Sequence, residues 1–234
     1  MVNMIQVVYT NSNCNDVFTP FYNQNKKHTN LPLCVISDYD VNAEIDGFHK
    51  YSNDEPYYKV WVDALTKFNA EYFIYLQEDF FLYADVKEDV LETYKNQLTE
   101  SEYSFVRLLK SGKLGTTKVF DNLYEIEPSN ENIFSMQATI WKTADYVKLM
   151  NTAASKGWLE TDADYRQTMI NLDMKGLYHF DNEPKIGANH HDSNVYPYVA
   201  TAVVKGKWNM REYQLELGKI LLKHNIDVNI RGLL

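Results

Sequence analysis

Short apolar runs separated by polar segments mark the first 80 residues of the chain. The β-branched run Met4 to Tyr9 and the run Leu33 to Ile36 each predict a strand that ends in a polar loop. Between residues 52 and 68, a capping box and apolar positions at helical spacing predict a helix. Tyr72 to Leu76 predicts a strand without apolar/polar alternation, so helices should cover both of its faces.

The order strand, loop, strand, helix, strand predicts an α/β fold with an open, mostly parallel sheet flanked by helices. The second half of the chain is less regular. It predicts helices over residues 85–98, 142–156 and 210–224, a further helix from about residue 161, short strands over 104–109 and 122–126, and a long loop over 180–192. Because no convincing linker interrupts the 234 residues, we expect one domain over residues 1–234.

Charge and composition exclude several partners. A net charge of -9 argues against nucleic acid, because binding its backbone requires clustered Lys and Arg. The N-terminal residues lack the pattern of a signal peptide, and no run reaches the roughly 18 apolar residues of a membrane span. Cys14 and Cys34 are too few for a disulfide scaffold and indicate two reduced thiols. We expect a soluble, intracellular protein, located in the cytoplasm.

Polar clusters follow the first three predicted strands, at residues 10–13, 37–40 and 77–79. In open α/β sheets, ligands bind beyond the carboxyl ends of the strands, where these clusters should meet. The third cluster contains two adjacent carboxylates, Glu78 and Asp79, at the mouth of a buried strand. Such a pair is costly to desolvate without a cationic partner.

A divalent cation would provide that partner, since Mg²⁺ and Mn²⁺ prefer oxygen ligands and are commonly held by one or two carboxylates together with substrate phosphates. Neighbouring residues on an extended strand point to opposite faces, so both carboxylates reach one ion only if the backbone turns. We therefore expect Asp79 to bind the metal ion directly and Glu78 to face a bound nucleotide or a metal-bound water. The alternatives are that Glu78 pairs with Lys or Arg and that Asp79 caps a turn.

The run VWVDALTKFNAEYFIYLQEDFFL, residues 60–82, resembles the helix, strand and acidic turn of small nucleotide-sugar-dependent glycosyltransferases of the GT-A type. The similarity extends to FSMQATIWKT (134–143), GWLETDADY (157–165), VVKGKWN (203–209) and IRG (230–232). In that family the sheet commonly ends on a D-x-D motif, of which Asp79 matches the last, metal-binding position, while Gln77 replaces the first Asp. The resemblance implies a GT-A-like (Rossmann-like) fold.

The resemblance also implies a nucleotide site at the ends of the first strands. It assigns Thr10 and Asn11 to the nucleoside and Asp38 to a uracil or ribose donor, with Asx-turn roles as the alternative. Arg107 lies in a predicted strand, where it would reach a phosphate or the acceptor, or else form a salt bridge at the strand end. Lys205 and Lys207 flank a glycine turn that would hold the diphosphate, unless they form an ordinary exposed basic turn.

Inverting transfer needs a carboxylate that deprotonates the acceptor hydroxyl. The family often places an acid at the helix start that GWLETDADY matches, which implies Asp162, and after it Glu160, as the base. Alternatively, Asp162 is only an N-cap and Asp164 only a first-turn acid. In the loop where the family often contributes a third metal ligand, the chain has His190 and His191, although adjacent histidines are also common on surfaces.

These patterns together predict a metal-dependent glycosyltransferase, resembling hexosyltransferases, that moves a sugar from a nucleotide-diphosphate donor, UDP being favoured, to a hydroxyl of a glycan or glycoconjugate. Phe80, Phe81 and Trp158 would wall the acceptor side, or else belong to the core. Two alternatives stay open. One is a non-catalytic carbohydrate-binding or assembly protein on the same fold, and the other is a metal-dependent sugar-phosphate nucleotidyltransferase. The segment YTNSNCND weakens the second, because it lacks the Gly and basic residues of that class.

Overall fold

The computed structural model describes residues 4–154 and 162–234, with backbone alone for residues 162 and 163. The strands of these residues are, in chain order, β1 (Met4–Tyr9), β2 (Leu33–Ser37), β3 (Gly47–Lys50), β4 (Tyr72–Gln77), β5 (Phe81–Leu82), β6 (Phe105–Arg107), β7 (Lys118–Phe120), β8 (Leu123–Ile126), β9 (Thr139–Lys142), β10 (Gly176–His179), β11 (Lys185–Ile186), β12 (His190–His191), β13 (Tyr198–Val199), β14 (Val203–Val204) and β15 (Lys207–Trp208). The α-helices are α1 (Asn15–His28), α2 (Tyr57–Phe68), α3 (Glu88–Thr99), α4 (Thr143–Ala154), α5 (Asp162–Asn171), α6 (Gln214–Lys223) and α7 (Val228–Arg231).

A nine-stranded sheet in the order β3-β2-β1-β4-β9-β6-β10-β8-β7 forms the centre of the fold. β1 pairs in parallel with β2 and β4, β2 with β3, and β6 with β10. Only β9 and β8 run against their neighbours, so the remaining strands of this sheet all point the same way. The prediction of an α/β fold with an open, mostly parallel sheet is confirmed.

Helices cover both faces of the sheet, as the lack of alternation in β4 predicts. Phe73 and Tyr75 point to the face covered by α2, α4 and α5, where Trp61 of α2 stacks on Tyr75 with ring centroids 5.1 Å apart. Ile74 and Leu76 point to the opposite face, which α1, α3 and α6 cover. Because both sets are buried, β4 is a central strand, and only its last residue, Gln77, is partly exposed.

Helix α1 corrects the sequence-based expectation, which placed only a loop between the first two strands. Its sequence NDVFTPFYNQNKKH is rich in polar residues and contains Pro20, whose ring removes a backbone donor inside the helix. The helix forms nevertheless because Val17, Phe18 and Phe21 are buried against the sheet. Tertiary burial therefore outweighs the weak local preference of this segment.

The long loop predicted over residues 180–192 is also corrected. It contains the short antiparallel hairpin of β11 and β12, whose register pairs Lys185 with His191. The strand β3, parallel to β2, was not predicted either. The last long helix, predicted over 210–224, is shorter and spans Gln214–Lys223. No helix within the described ranges is long and apolar enough to cross a membrane.

Gly176 of β10 lies against the ring of Phe105, where the core has no room for a larger side chain. A Cβ at this position would lie 2.0 Å from the nearest ring atom of Phe105, whose ring packs on Trp141. Gly176→Ala should therefore lower the free energy of unfolding by about 2 kcal/mol through overpacking. Urea unfolding measures this change. Gly115→Ala is the control, since its Cβ would meet no atom closer than 3.8 Å, and an equal loss in both variants would contradict this account.

Candidate functional site

A cleft of about 280 Å³ opens where the carboxyl ends of β1 and β4 meet. The sheet order reverses between these two strands, since β2 and β3 extend to one side and β9 and β6 to the other. Such a reversal is where open α/β sheets bind their ligands. The cleft is lined by Tyr9, Asn11, Cys14, Val17, Gln77, Glu78, Asp79 and Val203.

The two carboxylates of the acidic turn both line this cleft. Asp79 is only 8% exposed, and one of its oxygens accepts a hydrogen bond of 3.1 Å from the backbone N–H of Val203. Burial, and after it the charge of Glu78, raises the pKa of Asp79 to about 7. Burial also raises the pKa of Glu78, although a hydrogen bond with Cys14 opposes the shift. The two charges therefore destabilise each other at this corner.

Arg231 brings a positive charge to the edge of the cleft. Its guanidinium binds the carboxylate of Asp16 through two nitrogens, with a distance of 2.6 Å from Nε to Oδ2, and donates a 2.8 Å bond to the carbonyl of Asn13. Its charge acts on Glu78 and Cys14 without forming an ion pair with Glu78. Among the described residues, no Lys, Arg or His forms an ion pair with Glu78 or Asp79.

The donor set at the acidic turn fits a divalent cation in part. Glu78 and Asp79 supply hard oxygen atoms that form no ion pair with another described residue, and a bound cation would lower both raised pKa values. Within residues 4–154 and 162–234, no group of three or more His, Cys, Asp or Glu side chains is arranged to hold a metal. An ion at Asp79 would therefore need further ligands from water or from phosphate oxygens, as is common for Mg²⁺.

The residues predicted to bind the nucleoside differ in accessibility. Asn11 lines the cleft, and its side chain accepts from the N–H of Asn13, which is the Asx-turn arrangement. Thr10 is fully buried beneath it. Asp38 accepts bonds of 2.7 and 3.0 Å from the N–H and hydroxyl of Ser12, so it organises the loop after β1.

The predicted basic groups lie in two different settings. Arg107 is 1% exposed and does not line the cleft. Its Nη2 donates to the carbonyls of Asn132 and Ile133, and burial lowers its pKa to about 10. Lys205 and Lys207 are exposed on the hairpin of β14 and β15, and the positive φ values of Lys205 and Gly206 give the tight turn between these strands. Val203, at the base of this hairpin, lines the cleft.

The predicted third metal ligands are committed to other contacts. Nδ1 of His190 lies 3.5 Å from the hydroxyl of Tyr213, and Nδ1 of His191 lies 2.9 Å from the carbonyl of Glu183. Neither histidine lines the cleft of the acidic turn. Of the predicted acceptor-side aromatics, Phe80 and Phe81 are buried in the core, Phe81 against Trp208.

Three predicted residues lie where the structure gives no side-chain description. Glu160 and Trp158 fall outside the described residues, and Asp162 is described only as the first backbone position of α5. Sequence reasoning missed Tyr9, which ends β1 and lines the cleft, and two further site residues. Cys14 lies in the polar segment after the first strand, and Arg231 lies in the IRG motif. The sequence analysis singled out both segments but gave neither residue a role in the site.

Comparison with known proteins gives the fold but no family. No protein-family model and no curated protein matches the chain. A solved structure of CMP:2-keto-3-deoxy-manno-octonic acid synthetase in complex with CTP is 11% identical, with coverage of 96% of this chain and 100% of that chain and a TM-score of 0.52. The S. aureus TarS 1-349 structure is 13% identical, with coverage of 98% and 68% and a TM-score of 0.50. The chain therefore has the predicted GT-A-like, Rossmann-like fold.

Proposed function

We propose that this protein is a glycosyltransferase that binds a nucleotide-diphosphate sugar, UDP being favoured, at the cleft of the acidic turn and transfers the sugar to a hydroxyl of a glycan or glycoconjugate. The single observation that carries this proposal is the position of Glu78 and Asp79. The buried carboxylate of Asp79 and the partly exposed carboxylate of Glu78 lie where this sheet reverses its strand order, and neither forms an ion pair with another described residue. Such an arrangement stabilises the fold poorly and suits a metal-bound diphosphate.

Each residue of the cleft then has a defined task. A bound Mg²⁺ or Mn²⁺ would neutralise the charge of the departing diphosphate. Asp79 would hold that ion, with Glu78 oriented by Cys14 towards a metal-bound water or the nucleotide. Asn11 and Tyr9 form the wall on the β1 side, where a nucleoside would stack and bond. Arg231 and the Lys205–Lys207 turn supply the cationic groups at its rim.

The acceptor side of the reaction depends on residues that the structure does not describe in full. Asp162, and after it Glu160, stay the predicted bases that take the proton from the acceptor hydroxyl. The position of Asp162 at the start of α5 supports this role, because the positive end of a helix dipole favours an ionised carboxylate.

A nucleotide should stabilise the protein only when the metal is present. We expect UDP with MnCl₂ to raise the free energy of unfolding by about 2.7 kcal/mol at one hundred times its Kd, while UDP without metal has a much smaller effect. Thermal unfolding with UDP, GDP and CMP, each with and without MnCl₂, measures this difference. The absence of a response to every nucleotide would contradict the proposal and favour a non-catalytic carbohydrate-binding protein.

A sugar-phosphate nucleotidyltransferase is the second candidate, favoured by the fold likeness to the CTP-bound synthetase over its full length. The turn after β1 argues against it, because residues 10–13 carry no Gly, Lys or Arg for the triphosphate. The products decide between the two reactions. A nucleotidyltransferase releases pyrophosphate from CTP or UTP, whereas a glycosyltransferase releases the nucleoside diphosphate from UDP-sugar.

A further inference from the structure

A second cleft, of about 320 Å³, opens beyond the carboxyl end of β6. Two loops form it, because the N–H of Gly112 donates 2.9 Å to the carbonyl of Asn189 and the N–H of His191 donates 2.9 Å to the carbonyl of Lys110. Its volume is at the lower end of the range for small-ligand pockets, which suits a single sugar unit. The cleft is lined by Gly112, Lys113, Glu131, Asn132, Lys185, Ala188, Asn189 and His191.

The wall of this second cleft is tightly built. Gly112 has φ +75, and a Cβ there would lie 2.8 Å from the side chain of Asn132, so only glycine lets the two segments approach this closely. The Asn132 amide also donates to the carbonyl of Lys113, at 3.4 Å. From behind, Nη2 of Arg107 donates 2.8 Å to the carbonyl of Asn132. The position of Asn132 is thus fixed from both sides.

The second cleft has positively charged side chains, although the chain as a whole is negatively charged. Lys113 and Lys185 both line it, and neither forms an ion pair within the described part of the chain. Arg107 lies directly behind Asn132, 1% exposed, and its Nε and Nη1 find no hydrogen-bond partner among the described residues. A buried, unpaired guanidinium acts over a longer range than an exposed one, because little water screens it. These three cations outnumber the two carboxylates at the cleft, Glu131 in its lining and Glu212, which accepts a 3.3 Å bond from the N–H of Ala188. In a protein of net charge -9, they form a local positive site.

Polar groups beside these cations suit sugar hydroxyls. Glu131 contributes a carboxylate that would accept from a hydroxyl. The carbonyl of Glu183 can only accept, so Nδ1 of His191 carries the proton in their 2.9 Å contact. In the neutral ring this leaves Nε2 as an acceptor for a further hydroxyl. The second cleft therefore combines cations for one anionic group with acceptors for hydroxyls.

The two clefts lie along the same edge of the sheet. β9 alone separates β4 from β6, so the ends of these two strands are roughly 10 Å apart at the usual strand spacing. The side chains of Gln77, from the first cleft, and Met136, which precedes β9, are in contact at 3.5 Å between them. A sugar in the second cleft would thus lie beside a donor held at the acidic turn.

We propose that the second cleft is the acceptor subsite and that it selects an anionic sugar unit, one that carries a carboxylate or a phosphate group. The proposal rests on the glycosyltransferase function proposed above. Lys113 and Lys185 bind the anionic group, while Glu131 and His191 orient the hydroxyls.

Backbone amide chemical shifts test this subsite directly. Titration with glucuronate or glucose 6-phosphate should move the amide signals of Gly112, Lys113 and Asn189, whereas glucose should leave them in place. The double variant Lys113→Met, Lys185→Met should bind the anionic sugars roughly 100-fold more weakly, since each lost charged hydrogen bond weakens binding by about tenfold or more. The relative affinities for the two anions identify which group the natural acceptor carries.

The matched control is Lys26→Met, Lys219→Met, which removes two exposed lysines without ion pairs among the described residues and makes the same change in net charge. It should bind the anionic sugars as the unmodified protein does. Equal shifts with glucose, or unchanged affinity in the Lys113, Lys185 variant, would overturn the subsite.

Titration with UDP and MnCl₂ separates this proposal from the proposed function. If UDP binds but the anionic sugars do not, only the subsite is refuted. If the anionic sugars bind but UDP does not, the nucleotide site is refuted.

Discussion

Asp79→Asn is expected to lower both turnover and the metal-dependent part of nucleotide binding by roughly 100-fold or more, since even the loss of a supporting group around a metal costs 10- to 100-fold. The amide keeps the size of the side chain and an oxygen that can accept from the N–H of Val203. It lacks the negative charge that a divalent ion requires. Isothermal titration with UDP and MnCl₂, together with a donor-hydrolysis assay, measures both losses.

The same substitution should leave the fold intact or make it more stable. Burial and Glu78 raise the pKa of Asp79 to about 7, so the charged carboxylate is unfavourable in the ligand-free protein, and the neutral amide removes that cost. Asp89→Asn, at an exposed position in the first turn of α3, is the matched control and should change neither property. A variant that unfolds at a lower temperature, or one that retains metal-dependent binding, would refute the assignment of Asp79.

The central part of the fold was readable from the sequence because its signals are local. The apolar run of β4 has no alternation, which correctly indicates cover on both faces. The apolar positions at helical spacing also indicate α2 correctly, but the predicted capping box does not cap it. Helix α2 begins at Tyr57 without a side-chain cap, and the 2.8 Å bond from the N–H of Ser52 to Glu55 closes a turn before the helix. The position of Glu78 and Asp79 at the end of a central strand followed from the same pattern.

Features that depend on distant contacts could not be predicted from local patterns. Helix α1 contains Pro20 and forms through burial against the sheet. Arg107 is buried because it packs beneath the loop that carries Asn132 and Ile133, and it donates to the carbonyls of both residues. The sequence predicted either a salt bridge or a phosphate contact for Arg107. Among the described residues it forms no ion pair, and it does not line the cleft of the acidic turn. The ring of His191 contacts the carbonyl of Glu183, which lies across the β11–β12 hairpin.

Glu183 anchors the segment that carries this hairpin. One carboxylate oxygen lies 2.7 Å from Nε2 of His179, and the other accepts a 2.6 Å bond from the N–H of Asp181. Tyr94 contacts the opposite ring nitrogen of His179 at 2.8 Å. Burial alone would raise the pKa of Glu183, but the bonds from His179 and Asp181 outweigh it and lower the pKa to about 2. The folded state therefore favours the ionised carboxylate more than the unfolded chain does.

Glu183→Gln should accordingly reduce the free energy of unfolding by about 3 kcal/mol at pH 7, which is the stabilisation that corresponds to a pKa lowered from 4.5 to about 2. Because the folded pKa lies below the unfolded one, this stabilisation is complete above pH 4.5 and disappears as the pH falls towards 2. The difference between the variant and the unmodified protein should shrink over that window, as urea unfolding at pH 7, 5 and 3 would show. Glu102→Gln breaks an exposed pair with Lys175 and should cost less than about 1 kcal/mol. Equal losses in both variants, or a difference that does not change with pH, would contradict the role of Glu183 as a buried anchor.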